Sequence, residues 1–326
     1  MSKWISRALF ATTVFVLAPT TFAADFFMHD GMLGARWKYQ KNVAGKEKTN
    51  DVQYHLDAGG GVGVMENKLK LEFHARTGSS YTSGWSNTGL GRSDDSFDFH
   101  VRRLYLSYQP STIWGFMTGS MAQEYGAGTS NTSFDGDGWI TGYRINYSRN
   151  SSKFHFTYGD LSDYSKPSFF ERTEGMGEFN FGHMIWTYDT ESKNQGSFGY
   201  IYNVTDKADH YAQVAFKKNY NDGDQYVVIE DTLALTKKRG NAVGLTMGSK
   251  FGSMMKASLA WAHKTTSFIL PTNDKILAGH NAWLALKFPK IWKGGDLYDA
   301  ELFVNHIHNL SHSKGFRSEL GLTLKF

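Results

Sequence analysis

Apolar and polar residues alternate along short segments that recur through the whole chain. Every second residue is apolar in residues 33–39 (LGARWKY), 52–58 (VQYHLDA) and 69–76 (LKLEFHAR), and again in the final segment, 319–326 (ELGLTLKF). Successive side chains of an extended strand point to opposite faces, so each segment predicts a strand with one apolar and one polar face. The pattern predicts an all-β protein.

Two kinds of connection alternate between these segments. Short ones fall at residues 66–68, 110–113, 149–152, 250–253 and 289–294, and longer ones, rich in Gly, Ser, Asn and Asp, at 78–96, 124–138, 160–177 and 264–277. Short turns at one rim and long loops at the other are typical of transmembrane antiparallel β-barrels. Proline placement agrees, because Pro110 and Pro289 fall in predicted turns, and Pro167 and Pro271 fall in predicted loops.

The number of strands follows from counting the alternating segments. We expect a barrel of about sixteen strands over residues 24–326, within the even-numbered series known for such proteins. The alternation is ambiguous in residues 179–188 and 225–236, so a count of fourteen strands, with one merged hairpin, stays open.

The first 23 residues predict a signal peptide and not a part of the fold. Lys3 and Arg7 precede an apolar run over residues 8–18, and small residues flank Phe22 at the positions that a signal peptidase reads. The run is too short to cross a bilayer as a helix. We therefore expect the mature chain to begin at Ala24.

Composition excludes several functional classes. The chain has no cysteine, which removes disulfides, thiolate metal sites and cysteine nucleophiles. Its formal charge of +4 gives no basic footprint for nucleic acid. Only 40% of its residues are hydrophobic but 15% are aromatic, which suits apolar side chains spread over many strands. After the leader, no segment approaches the ~20 apolar residues of a transmembrane helix.

Three features favour a membrane barrel over a soluble β-sandwich. Long charged residues recur on the polar face of strand after strand, which suits a wet lumen. The apolar face mixes alanines with leucines and aromatics, as a surface in contact with lipid allows. Tyrosine and tryptophan collect near predicted strand ends, where interfacial girdles form. In lipid every backbone group must be paired, so the last strand should hydrogen-bond to the first.

The end of the chain carries a family resemblance. The alternating LGLTLKF with its terminal Phe326 resembles the last strand of Gram-negative porins of the sixteen-stranded type, and HVRRLYLSY at 100–108 is similar to Arg-rich inner strands of substrate-selective porins. The resemblance implies a multi-pass protein of the outer membrane of a Gram-negative bacterium, which forms a water-filled diffusion channel for small hydrophilic solutes. It also implies a homotrimer, contact with outer-membrane lipid and lipopolysaccharide, and recognition of Phe326 by the barrel-assembly machinery.

If the apolar faces meet lipid, the opposite faces line a pore. We expect its wall to include a set of charged and imidazole side chains, namely Arg36, Lys38, His55, Lys70, Glu72, His74, Arg76, Arg103, Arg144, His155, Lys256, Lys287, Glu301, Arg317 and Glu319. A surplus of positive charge in a water-filled pore concentrates anions. Lumenal Tyr105, Trp283 and Phe303 could stack on sugar rings. The pattern thus predicts a preference for anions or sugars, unless ion pairs such as those of Lys70 or Arg76 with Glu72 merely neutralise the wall.

The loop over residues 124–138 is the candidate constriction. In sixteen-stranded porins the third loop folds into the barrel, and this segment holds that position in the chain. We expect its carboxylates Glu124, Asp135 and Asp137 to face a basic cluster that includes Arg103 and Arg144 on the wall, with Arg76 beside them. The alternative is a short surface loop.

Other functional classes remain as alternatives. A barrel protease needs pairs such as Asp135 with Asp137 and Asp98 with His100, and a barrel lipase needs a serine and a histidine, which residues 311–313 (SHS) contain. A closed barrel serving as an adhesin or anchor is a further alternative, which the polar wall disfavours. Asp135 and Asp137 also fall short of the six or more oxygen ligands of calcium. We therefore expect a channel with no enzymatic activity, cofactor or metal.

Overall fold

The fold was analysed in a computed structural model of the chain. It describes residues 24–43, 46–79, 83–86, 88–89, 98–133, 138–161, 166–173, 177, 179–190, 193–203, 209–236, 240–266, 268, 278–293, 298–311 and 315–326. The predicted signal peptide, residues 1–23, lies outside this part. No helix in the described ranges is long and apolar enough to span a membrane.

Sixteen strands account for most of the described chain. In order they are β1 Asp25–Val43, β2 Lys46–Val64, β3 Leu69–Thr77, β4 Phe99–Tyr108, β5 Trp114–Ala122, β6 Trp139–Arg149, β7 Ser152–Asp160, β8 Phe181–Asp189, β9 Gln195–Asn203, β10 Asp209–Tyr220, β11 Gln225–Ala234, β12 Asn241–Phe251, β13 Met255–Lys264, β14 Gly279–Lys293, β15 Asp299–Asn309 and β16 Phe316–Lys325. One helical turn, α1 at Phe169–Arg172, lies between β7 and β8, and a 3-10 turn, Asn221–Gly223, joins β10 to β11.

The strands form one closed antiparallel barrel in which each strand pairs with its neighbours in the chain. The seam between the ends is a regular ladder that runs from Met32 opposite Lys325 to Lys41 opposite Phe316. Beyond it, the backbone N–H of Phe326 donates to the carbonyl of Gly31 at 2.9 Å. The predicted pairing of the last strand with the first is confirmed, and the sheet has no free edge along this seam.

The exposure of alternate residues shows which face points outward. Large apolar side chains on the outer face are open, as Trp37 (42% exposed), Phe198 (53%) and Leu320 (46%) show, whereas inward Gln53 and Thr232 are buried. The connections of β2–β3, β4–β5 and β6–β7 are short turns, and those of β3–β4, β5–β6 and β7–β8 are longer loops. The barrel therefore has a short-turn rim and a long-loop rim, as the pattern predicted.

The two ambiguous segments form β8 and β11, and the region from β8 to β11 holds four strands, so the count of sixteen is confirmed and fourteen is wrong. Its inner face is itself apolar near the long-loop rim. Phe181, Ile201 and Tyr211 form a buried cluster with Phe268 from the loop after β13 and with Tyr125 from the loop after β5 packed against it. Because both faces of these strands carry apolar side chains, the period-two signal is weak there.

The sequence predicted a turn at Pro289, but Pro289 lies within β14. The register between β14 and β15 shifts between Phe288 and Trp292, and Lys290 takes a positive φ of 58°. A proline lacks the N–H that a regular ladder requires, and an irregularity of this kind leaves that position unpaired. Because the ladder has no pair at this position, the proline removes no hydrogen bond from it, and the strand continues beyond the proline.

Placing a charged residue on the outer face tests whether that face contacts lipid. Leu320 lies in the middle of β16, and its replacement by arginine should lower the stability of the folded protein in phospholipid vesicles by roughly 2–4 kcal/mol, since lipid does not solvate a guanidinium. Reversible urea unfolding measures the loss. Leu320→Met, which keeps the volume and the apolar character, should stay close to the wild type. Equal stability of the arginine and methionine variants would contradict an outer face in contact with lipid.

Candidate functional site: an inward loop and a charged wall

The loop after β5 folds into the barrel and reaches the opposite wall. We name it L3 (residues 123–138), of which 123–133 and 138 are described. The backbone N–H of Ala127 donates to Ser197 Oγ on β9 at 3.0 Å, and Asn131 Nδ2 donates to Thr246 Oγ1 on β12 at 3.0 Å. Both wall residues alternate with exposed outer residues, so they face inward. L3 therefore crosses the interior and does not lie on the surface.

Glu230 on β11 is the strongest anchor of L3. Its carboxylate accepts from the backbone N–H of Thr129 at 2.6 Å and from the Thr129 hydroxyl. The Glu230 side chain is 1% exposed, so these bonds are made away from bulk water. Hydrogen bonds to a charged group contribute about 1.5–3 kcal/mol each. Sequence reasoning missed this role, because Glu230 lies in the stretch 225–236, where the alternation is ambiguous.

Glycines allow the close approach of L3 to the wall. Gly126 has a φ of +60°, and a Cβ there would lie 2.6 Å from the Cβ of Ser197. On the wall, a Cβ at Gly244 of β12 would lie 2.8 Å from Thr132 Cγ2 of L3. A larger side chain at either position would push the loop away from the wall.

Two arginines hold the two ends of L3. Arg144 of β6 donates to Glu124 Oε1 at 2.9 Å, to Thr157 Oγ1 at 2.8 Å and to the carbonyl of Ala122. Arg103 of β4 donates to the carbonyl of Gly138 at 3.2 Å, where the loop ends. Both guanidinium groups thus contact the loop that the sequence placed opposite them.

A cavity of about 390 Å³ lies between this end of L3 and the wall. The predicted wall residues Glu72, His74, Arg103 and Arg144 line it together with Glu124 of the loop and with His29, Phe73, Tyr105, Met117 and Ala122. Glu72 accepts from the Tyr105 hydroxyl at 3.1 Å and from Ser107 Oγ at 3.3 Å. Acidic and basic groups therefore meet in one space beside the loop, together with apolar side chains. Asp135 and Asp137 lie outside the described residues.

Arg76 is not part of this cluster, contrary to the expectation. Its guanidinium forms an ion pair with Asp57, which His74 Nε2 also contacts at 2.5 Å. Neutralisation by Glu72 was the alternative for Arg76, and the carboxylate that pairs with it is that of Asp57 instead. Asp57 lies on β2 directly opposite Arg76 in the ladder, so the cross-strand neighbour takes the guanidinium.

Other wall cations also have acidic partners. Glu319 lies 2.9 Å from Arg36 and 3.4 Å from Arg317, and Glu301 lies 2.9 Å from Lys325. These pairs neutralise a large part of the positive charge that a count of the wall residues implies. The net electrostatic potential in the lumen therefore depends on the cations that have no such acidic partner.

The remaining predicted wall residues also alternate with outer-face residues and face inward. Lys38 adjoins the Arg36 and Glu319 pair in the β1–β16 ladder, Lys70 lies 5.5 Å from the Phe27 ring, and His155 Nδ1 lies 2.8 Å from Asn146 Oδ1. His55 is buried beside Asp57 at 4.0 Å, and Lys256 and Lys287 are opposite each other on β13 and β14. Their part in conduction stays a prediction.

Trp85 is a lumenal residue that the sequence did not reveal. It belongs to the loop after β3, and its ring centre lies 4.5 Å from the Arg36 guanidinium carbon and 4.8 Å from the His55 ring. The edge of the indole also lies 3.0 Å from where a Cβ of Gly34 would be, and Phe303 of β15 is 6.2 Å away. A second loop therefore places an aromatic ring inside the barrel, and no periodicity in a loop could have predicted it.

Solved structures similar to this chain include bacterial porins. The anion-selective porin from Comamonas acidovorans gives a TM-score of 0.57 at 12% identity, over 93% of this chain and 100% of the other. A mutant of the Rh. blastica porin gives 0.56 at 9% identity, over 93% and 100%, and the high-pH structure of Pseudomonas putida OprB gives 0.59 at 9%, over 92% and 93%. No protein-family model and no curated protein sequence matches. The chain has the barrel fold of these porins, as the resemblance implied.

Removal of the Glu230 carboxylate should release L3 from the wall. Glu230→Ala deletes both bonds to Thr129, so chymotrypsin should cut the loop beside its aromatic residues faster than in the wild type. Glu301→Ala is the matched control, since Glu301 is also inward and buried but pairs with Lys325 away from L3. Gel electrophoresis of timed digests measures the rates. Equal rates in all three proteins would contradict the anchoring role.

Proposed function

We propose that the chain forms a water-filled diffusion channel for small hydrophilic solutes. The observation that carries this proposal is a closed sixteen-stranded barrel whose inner wall is charged and whose interior holds the inward loop L3. About eight strands are filled by their own side chains, whereas sixteen to eighteen leave an aqueous channel. A loop anchored inside such a barrel would narrow the channel.

The outer membrane of a Gram-negative bacterium is the proposed location. The outer face carries exposed Phe198, Val214, Ile229 and Leu320, which a bilayer would cover. Closure of the sheet leaves no strand edge exposed, as lipid requires. The long-loop rim would face the outside of the cell and the short-turn rim the periplasm.

Anions and polar solutes such as sugars are the proposed cargo. Arg103 and Arg144 hold the two ends of L3 and line the cavity beside it, so the positive charge of both guanidinium groups acts on a solute that passes the loop, although the Arg144 side chain is itself buried. Glu72 and Glu124 in the same cavity supply acceptors for hydroxyl groups. Trp85 and Phe303 add ring faces on which a sugar could stack.

The assembly of the protein is proposed from the resemblance to porins. Residues 1–23 would act as a signal peptide that is removed on export. The terminal strand with Phe326 would be recognised by the barrel-assembly machinery, and the folded chain would form a homotrimer among outer-membrane lipid and lipopolysaccharide. The ring of Phe326 packs 6.1 Å from Tyr298 at the short-turn rim, an accessible place for such recognition.

Neutralisation of the two loop arginines tests the preference for anions. Arg103→Gln with Arg144→Gln removes both cations from the cavity and leaves the carboxylates of Glu72 and Glu124 there, so the reversal potential in a salt gradient across a planar bilayer should move toward that of a cation-preferring channel. Lys153→Gln is the control, because Lys153 pairs with Asp189 near the short-turn rim, 47% exposed. An unchanged reversal potential in the double variant would count against the proposed selectivity.

Replacement of Trp85 tests whether the second loop narrows the channel. Trp85→Ala removes the indole from beside Arg36 and Gly34, so single-channel conductance in symmetrical potassium chloride should rise. Trp261→Ala removes an indole of the same size from the outer face of β13 and should leave the conductance unchanged. A rise in neither variant would place the ring outside the conducting path.

A further inference from the structure

A row of lysines crosses three neighbouring strands on the inner wall, away from L3. Lys256 of β13 lies directly opposite Lys287 of β14 and, on its other side, opposite Lys250 of β12. Leu259 and Leu284, which lie on the opposite face of the same strands, are outward and exposed, so the lysines point inward. Both Lys256 and Lys287 are nonetheless solvent-exposed, as side chains in an open lumen would be.

The charges in this row are not balanced as they are elsewhere on the wall. In the described part of the chain, no carboxylate oxygen lies within 4.0 Å of the Lys256 or Lys287 ammonium, whereas Arg36, Arg76 and Arg144 each have one within 3 Å. Like charges directly opposite each other destabilise a sheet. The row is thus a cost to the fold that a bound anion would remove.

The neighbouring strands do not supply the missing acid. On the far side of Lys287, β15 places Phe303 opposite it, and the Phe303 ring covers Gly321 of β16. Glu301 is the next inward residue toward the rim on β15, and its carboxylate already forms an ion pair with Lys325 at 2.9 Å. On the near side, Lys250 Nζ lies 3.5 Å from Asp224 Oδ1, and both side chains are at least half exposed. The ammonium groups of Lys256 and Lys287 therefore face a water-filled space.

We infer that Lys256 and Lys287, with Lys250 beside them, form a binding site for a multivalent oxyanion of the inorganic-phosphate class. A lysine ammonium is a compact charge with three donors, which suits a tetrahedral anion that presents several oxygens. Two such groups on adjacent strands hold a doubly charged anion better than chloride, because each negative charge has its own cation. The site deepens the proposed channel function, since it names an anion that would pause in the lumen near the short-turn rim.

Conductance measurements test the site. At constant ionic strength and pH 7.5, inorganic phosphate should reduce the chloride current of the wild type in a saturable manner. In the double variant Lys256→Gln with Lys287→Gln, the saturable part should be lost and the apparent affinity should fall at least tenfold. Lys290→Gln is the matched control: it removes a lysine from the same strand, but one that pairs with Asp299 at 3.6 Å. Equal block in the wild type and the double variant, or equal loss in the control, would overturn the site.

A binding measurement separates this site from the channel itself. Phosphorus-31 line broadening of inorganic phosphate, recorded with the protein in a non-ionic detergent, needs no current. Broadening by the wild type and the Lys290→Gln variant, but not by the double variant, supports the lysine site even if no conductance is found, and in that case the proposed channel fails alone. If the protein conducts but causes no such broadening, the proposed channel stands and the proposed phosphate site is refuted.

Discussion

The ladder between β1 and β16 is the interaction on which the rest of the structure depends. It pairs residues at opposite ends of the chain, from Met32 with Lys325 to Lys41 with Phe316, and converts a meander of hairpins into a closed sheet. A sheet without this seam would expose two rows of unpaired N–H and C=O groups. Closure satisfies them, and it also separates an inside from an outside, which gives the alternation of polar and apolar residues its meaning.

Closure makes the inner wall a place where long-range polar contacts can form. Its charged residues meet partners from neighbouring strands, as Asp57 does with Arg76, and partners from loops, as Arg144 does with Glu124. The same enclosure shields the carboxylate of Glu230, which can therefore hold the backbone of L3 strongly. The loop stays inside because several buried hydrogen bonds and an apolar cluster act on it together.

The two halves of the lumen differ in consequence. On the side of β8 to β12, L3 covers the wall, and apolar residues such as Ile201 and Phe181 pack beneath the loops. On the other side the wall carries paired charges on β1, β2 and β16, against which Trp85 of the loop after β3 packs, and the lysine row on β12 to β14. In the proposed channel, a solute on this side would meet neutralised pairs and the ammonium groups of Lys256 and Lys287, which have no carboxylate oxygen within 4.0 Å in the described part of the chain.

The sequence by itself determined most of the strands and their facing, because a period of two is a local property that each segment carries in its own residues. It left β8 and β11 ambiguous, because their inner faces carry apolar side chains as well. It also indicated which residues point inward, from Arg36 to Glu319. Tertiary structure alone decided where the loops go and which charges pair. Thr129 binds a glutamate 101 residues away, and Trp85 meets Arg36 from a loop without any periodicity. Such contacts depend on the meeting of distant strands, so no local pattern encodes them, and they decide the shape and the charge of the space inside.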